Sequence, residues 1–161
     1  MQISGFQKIF GVGPSGALLS LMLLALLWWI DGLVGRPAIA DRTAWRYAAA
    51  VVLILSGAGL HVWSFVTLRH WWRHDRLCTR GPFRFVRHPM YSAWITLVAG
   101  GAALATNSWI MLAGPVLLHL LWHRLVPREE RMMDAVFGRT YREYAARTGR
   151  FLPRWRLSRR S

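Results

Sequence analysis

Lysine is almost missing from this chain: of its 21 basic residues only Lys8 is not arginine. Acids are scarce as well, 7 in 161 residues, which leaves a formal net charge of +14. There is a single cysteine, Cys78, so an internal disulfide and any cysteine-based zinc site are excluded. What the chain has in quantity is apolar: 54% of its residues are hydrophobic. A soluble domain rarely combines that share with such a charge. The apolar residues come in long blocks with the charges between them, the pattern of an integral membrane protein of one domain, 1–161. The arginine bias suggests a GC-rich bacterial genome, an association rather than physics.

Four blocks are long enough to consider as membrane helices. Residues 16–34 form the first. Ala38-Ile39-Ala40 after it also looks like a secretory cleavage site, but only Lys8 precedes the run and Trp28 and Trp29 bulk it up, which favours a retained helix. Residues 45–68 form the second, with Trp45 and Tyr47 at one end and Trp63 and Phe65 near the other, as in aromatic belts. Pro89 to about Thr106 gives a short third helix, Asn107 and Ser108 turn the chain, and Trp109 to Val126 returns as the fourth. Pro127 then opens a further helix whose first turn carries Glu129 and Glu130, where acids favour the dipole. Met133, Phe137, Tyr141 and Tyr144 make it amphipathic, Gly138 bends it and Gly149 stops it. The expected fold is all-α and integral to the membrane, with about four transmembrane helices plus a C-terminal amphipathic cytoplasmic helix.

Arginines set the topology. Six lie in the loop of residues 69–88 and ten follow Arg124, whereas the turn at Asn107 has none. The positive-inside rule puts that loop and both termini in the cytoplasm of a multi-pass protein, with a bacterial inner membrane as the expected location. The basic tail suits anionic lipid, at about 1 kcal/mol per arginine near the surface, better than nucleic acid.

Within the basic loop, Arg80-Gly-Pro-Phe-Arg-Phe-Val-Arg-His-Pro-Met-Tyr91 interleaves cations with aromatics. Pro89 suits the first turn of a helix, which places His88 at the mouth of the third helix. One helical hairpin separates this stretch from Glu129-Glu130, so both return to the same membrane face. A site of His88, Tyr91, Glu129 and Glu130 suits a ligand that is partly charged and partly flat.

The stretch Gly81–Tyr91, with its Arg-His-Pro-x-Tyr, the following hairpin, the Glu129-Glu130 pair and the series Phe137, Gly138, Tyr141 and Tyr144, resembles the isoprenylcysteine carboxyl methyltransferase family, related to the membrane phospholipid N-methyltransferases. The resemblance covers about residues 55–153; Ala93 stands where that family usually has glycine. It divides the chain into a variable N-terminal helix (1–45), a family-like core (46–153) and a basic tail (154–161). It implies S-adenosylmethionine as cofactor, bound by Arg87, His88, Tyr91, Glu129 and Glu130, with His88 and Glu130 catalytic. It implies a lipophilic acceptor, either an isoprenylcysteine-like carboxylate or a phospholipid amine. Gly57-Ala-Gly59 resembles the Gly-x-Gly of the phospholipid N-methyltransferase cofactor site, against the simpler reading of close helix packing. Two other classes stay open: an NADPH-dependent membrane reductase and a non-catalytic lipid-binding protein. His61, His119 and His123 are expected to line the bundle or its cytoplasmic edge rather than to bind a metal.

Overall fold

A computed structural model describes residues 11–39, 44–72 and 76–154. Lys8, Ala40, Arg42, Arg73 and the tail beyond Arg154 lie outside the described residues, and with them the expectations placed on the N-terminal end and the basic tail. Helix α1 spans Gly13–Leu33 and α2 spans Ala44–Trp72. A short 3₁₀ turn, Gly81–Arg84, leads into α3, in which Pro89–Ser92, a π-helical Ala93–Val98 and Ala99–Thr106 run on as one helix. Helix α4 spans Trp109–Arg147. No strand is present among the described residues; two isolated bridges pair Ala38 with Ser108 and Val86 with Gly149.

Contacts at the two ends show that the four helices alternate in direction. At one end, Val12 before α1 meets Glu129 of α4, and Gly81 lies against Thr67 and Trp63 near the end of α2. At the other, Trp109 N–H donates to Pro37 O, Ile39 N–H donates to Asn107 O, and Arg46 Nη1 donates to Leu104 O. Ser108 caps α4: its hydroxyl accepts from the N–H groups of Ile110 and Met111 and donates to the buried carboxylate of Asp31. That is the usual use of serine at a helix start.

Small residues let the helices approach. Gly57 of α2 packs on Ala93, Leu97 and Val98, and Gly101 of α3 on Ala50, Leu53 and Ile54. Val12, Ile95, Leu118, Trp122, Val126 and Phe151 form a core at the first end of the bundle. Large apolar residues such as Leu18, Leu21, Val52 and Leu55 point outward, which suits lipid and not water. Among the described residues three helices, α1, α2 and α4, are long and apolar enough to cross a membrane.

One expectation fails. No new helix opens at Pro127; α4 runs through Pro115 and Pro127 and departs from helical geometry only at Gly138, with φ 52° and ψ −125°. Proline removes one intrahelical bond, and a helix packed against neighbours tolerates that loss. The segment expected to be an amphipathic helix is therefore the outer arm of α4. Residues 109–137 run roughly 43 Å before the break at Gly138, longer than a bilayer core of about 30 Å, so only the first part lies at membrane depth. Glu129 and Glu130 sit mid-helix, where no dipole favours them, so their charge is answered by side chains and by one backbone N–H.

Candidate active site

The basic loop and the C-terminal segment are joined by backbone. Arg87 N–H donates to Gly149 O at 2.8 Å and His88 N–H to Arg150 O at 3.1 Å, flanking the Val86–Gly149 bridge. The fit requires glycine: a Cβ on Gly149 would lie 1.8 Å from Leu152 O. Ser92 Oγ, 2.8 Å from Phe151 O, continues the seam. The outer arm of α4 folds back to this seam through the Gly138 bend, and Tyr144 donates its hydroxyl to Phe83 O at 2.6 Å.

This seam brings two guanidiniums to one carboxylate. Glu130 accepts from Arg87 Nε at 2.9 Å and Arg87 Nη2 at 2.8 Å, and from Arg150 through Nε at 3.1 Å and Nη2 at 2.5 Å. His88 Nε2 lies 3.3 Å from the same Oε1. Arg87 is held further by the carbonyls of Ala145 and Thr148. Burial alone would raise the Glu130 pKa; the hydrogen bonds from His88, Arg150 and Arg87 outweigh it and hold the carboxyl well below the usual range.

Glu129 is treated differently. Its Oε2 accepts from Tyr91 OH at 3.0 Å and from Val12 N–H at 3.3 Å, both neutral donors. Its nearest cationic candidate is His88 Nδ1, 3.8 Å from Oε1. The imidazole of His88 thus lies between the two carboxylates. It stacks on Tyr91, ring centroids 5.5 Å apart and nearly parallel, and Tyr91 in turn packs on Trp122 at 4.3 Å.

A groove of ≈ 410 Å³ opens beside Glu130, inside the bend of α4, edged by Arg131, Asp134, Tyr141 and Arg142. Tyr141 is buried, and its hydroxyl has no hydrogen-bond partner. Burial and then the nearby Glu130 charge push its pKa up to about 12 against the opposing pull of the neighbouring Arg87 and Arg150 guanidiniums, so the phenol keeps its proton.

The structure brings together Arg87, His88, Tyr91, Glu129 and Glu130. It leaves Gly57 packed on α3, and Gly59 with no atom within 4 Å of where a Cβ would sit. Sequence reasoning missed Arg150 and Phe151. Arg150 is one of ten arginines after Arg124, and only the pairing of residues 86–88 with 149–150 singles it out.

The phospholipid methyltransferase family model matches residues 45–140. A probable protein-S-isoprenylcysteine O-methyltransferase of Oryza sativa subsp. indica is 31% identical over 153 residues, 91% of this chain and 77% of the relative. Protein-S-isoprenylcysteine O-methyltransferase B of Arabidopsis thaliana is 26% identical over 141 residues, 82% of this chain and 71% of the relative. These relatives are plant proteins, so the bacterial source suggested by the arginine bias gains no support from them. With the family model covering more than half of its length and the paired acids meeting Arg87 and His88 in space, the chain belongs to the isoprenylcysteine carboxyl methyltransferase family, among the membrane phospholipid methyltransferases.

Proposed function

We propose that this protein moves a methyl group from S-adenosylmethionine to a lipophilic acceptor at the cytoplasmic face of a membrane. The observation that carries this reading is the His88 imidazole lying between Glu129 and Glu130 at one end of the bundle. The reading includes four crossings with both termini cytoplasmic; what supports it is that α3 runs between the same two ends as the other helices and that Arg80, Arg84, Arg87, Arg128 and Arg150 lie at the site end.

The residues fit such a cofactor. Glu129, answered mainly by neutral donors, keeps charge for a cationic ligand. Tyr141 offers an unused hydroxyl, and Asp134 with Arg142, 3.4 Å apart, can face an ammonium and a carboxylate. Bound there, the cofactor supplies an electrophilic methyl on a sulfonium. The protein's part is alignment and exclusion of water. Glu130 has its lone pairs occupied and acts by fixing Arg87, Arg150 and His88, not as a free base. His88 is the group placed to take a proton when the acceptor has one to lose.

Equilibrium binding to detergent-purified protein tests the reading. S-Adenosylhomocysteine should bind, and Glu129→Gln should weaken it about tenfold, the cost of one charge-assisted contact. Binding of NADPH in its place would overturn it in favour of a reductase.

A further inference from the structure

The basic loop and α4 supply the charges of the site, yet α1 reaches it at its first turn. Val12, the residue before α1, donates its N–H to Glu129 Oε2 at 3.3 Å. Gly11 lies against the same carboxylate: a Cβ there would sit 2.5 Å from Oε2 and 2.7 Å from Cδ. Its φ of 47° falls in the left-handed region as well, so this position asks for glycine twice over.

Two further contacts fix where that turn sits. Gly16 packs on the Trp122 ring, which lies 2.7 Å from where its Cβ would be, and Trp122 Nε1 donates to Ser20 Oγ at 2.9 Å. Ser20 in turn donates to Gly16 O at 2.7 Å. Gly16 and Ser20 are one turn apart on α1, so they key its rotation and its height to α4. Val12 is buried in the core with Trp122, Val126 and Phe151. The turn cannot slide along Glu129 without unpacking the two helices.

A glutamate has three side-chain torsions, and ordering them when a ligand arrives costs affinity. Here Val12 N–H and Tyr91 OH both hold Oε2, whereas Oε1 has only His88 Nδ1, 3.8 Å away, as a cationic neighbour. One oxygen is spent on position and the other keeps its lone pairs. We propose that the Gly11–Val12 turn is a positioning element of the cofactor site: it pre-orients the Glu129 carboxylate toward the ligand's positive charge, so that α1 completes a site whose charges come from the basic loop and α4. That role rests on the methyl-transfer reading.

Equilibrium binding of S-adenosylhomocysteine to the full chain in detergent tests it. Gly11→Ala pushes a methyl into the carboxylate and should weaken binding about fivefold, as loss of one hydrogen bond predicts. Gly11→Asn should be as weak, because asparagine tolerates the left-handed conformation and so relieves the backbone strain while keeping the Cβ. Since the turn acts through Glu129, adding Gly11→Ala to Glu129→Gln should cost less than about a further twofold, whereas a merely structural role would multiply the two losses. Gly32→Ala, at the far end of α1 with no atom within 4 Å of its Cβ, should bind as the wild type does. Wild-type affinity in Gly11→Ala, recovered affinity in Gly11→Asn, multiplied losses in the double variant, or an equal loss in Gly32→Ala would each overturn the role of the turn. If Gly11→Ala no longer unfolds cooperatively, Gly11→Asn alone decides. A wild type that binds no S-adenosylhomocysteine would overturn the methyl-transfer reading itself, and the role of the turn with it.

Discussion

Both ends of the bundle bury charge, and they do so in opposite ways. At the end of the Asn107 turn, Asp31, Arg46 and Ser108 are only 2%, 1% and 1% exposed. Their bonds join elements: Ser108 ties Asp31 to the start of α4, and Arg46 holds the carbonyl at the end of α3. Nothing can reach them from outside. Two of the Arg46 donors, Nε and Nη2, stay unpaired, a cost that this end bears without any opening. At the other end the side chains of Arg87, Glu130, Glu129 and Arg150 are 10%, 13%, 21% and 25% exposed, and a groove reaches Glu130. Polar groups sealed in one place and left reachable in another distinguish a clamp from a site.

The largest effect should come from breaking the pivot of the reachable end. Glu130→Ala strands Arg87 and Arg150 in a partly buried cluster, and removing one partner of such a set costs about 3 kcal/mol. Thermal unfolding in detergent should show a large loss of stability, together with loss of S-adenosylhomocysteine binding. A variant as stable as the wild type would mean that Glu130 is not what joins α4 to the loop. The same carboxyl sets an acid limb. Its folded pKa is depressed, so its contribution is complete above the unfolded carboxyl value of about 4.3 and drains away as pH falls below that toward the folded value. Stability measured between neutral and strongly acid pH should fall on that limb, and Glu130→Gln should flatten it.

A smaller effect, of the opposite kind, is expected at the sealed end. Ser108→Ala removes the cap of α4 and the donor to Asp31, for about 1–2 kcal/mol of stability. Ligand affinity should not change, because the groove lies at the far end of α4. A parallel loss of S-adenosylhomocysteine binding would erase the distinction between the two ends.

How much of this was legible in the sequence follows the range of the interactions. Apolar runs gave α1, α2 and the first part of α4, because burial in lipid depends on local composition. The meeting of Arg87, His88 and Tyr91 with Glu129 and Glu130 was legible because one hairpin must bring its ends back to the same face. The role of Pro127 was misread: proline usually marks a helix start in water, yet a packed membrane helix carries it inside. Arg150 and Phe151 were illegible because a parallel pairing of two residues with a distant loop leaves no periodic trace. The small residues of α2 were ambiguous for a different reason, since close helix packing and cofactor approach ask for the same glycines; Gly57 packs on α3.

The smallest change sharpens the comparison most. Among the described residues at the reachable end, Tyr141 is the one whose buried side chain carries a polar atom without a hydrogen bond of good geometry. The hydroxyl makes no hydrogen bond of good geometry, and its one close polar neighbour, the Arg87 guanidinium, is already held by Glu130 and two carbonyls. Tyr141→Phe keeps the ring in its place beside the α4 bend and discards only the unmatched oxygen. Stability should therefore hold or rise slightly, since a buried donor without a partner is itself a penalty. Affinity should move the other way if a ligand in the groove accepts from that hydroxyl. One neutral hydrogen bond is worth about 1 kcal/mol, so S-adenosylhomocysteine should bind roughly fivefold more weakly. Paired thermal-shift and titration measurements separate the two effects. A variant that loses stability and keeps full affinity would assign the hydroxyl to the fold and move the cofactor's hydrogen bonds elsewhere along the groove.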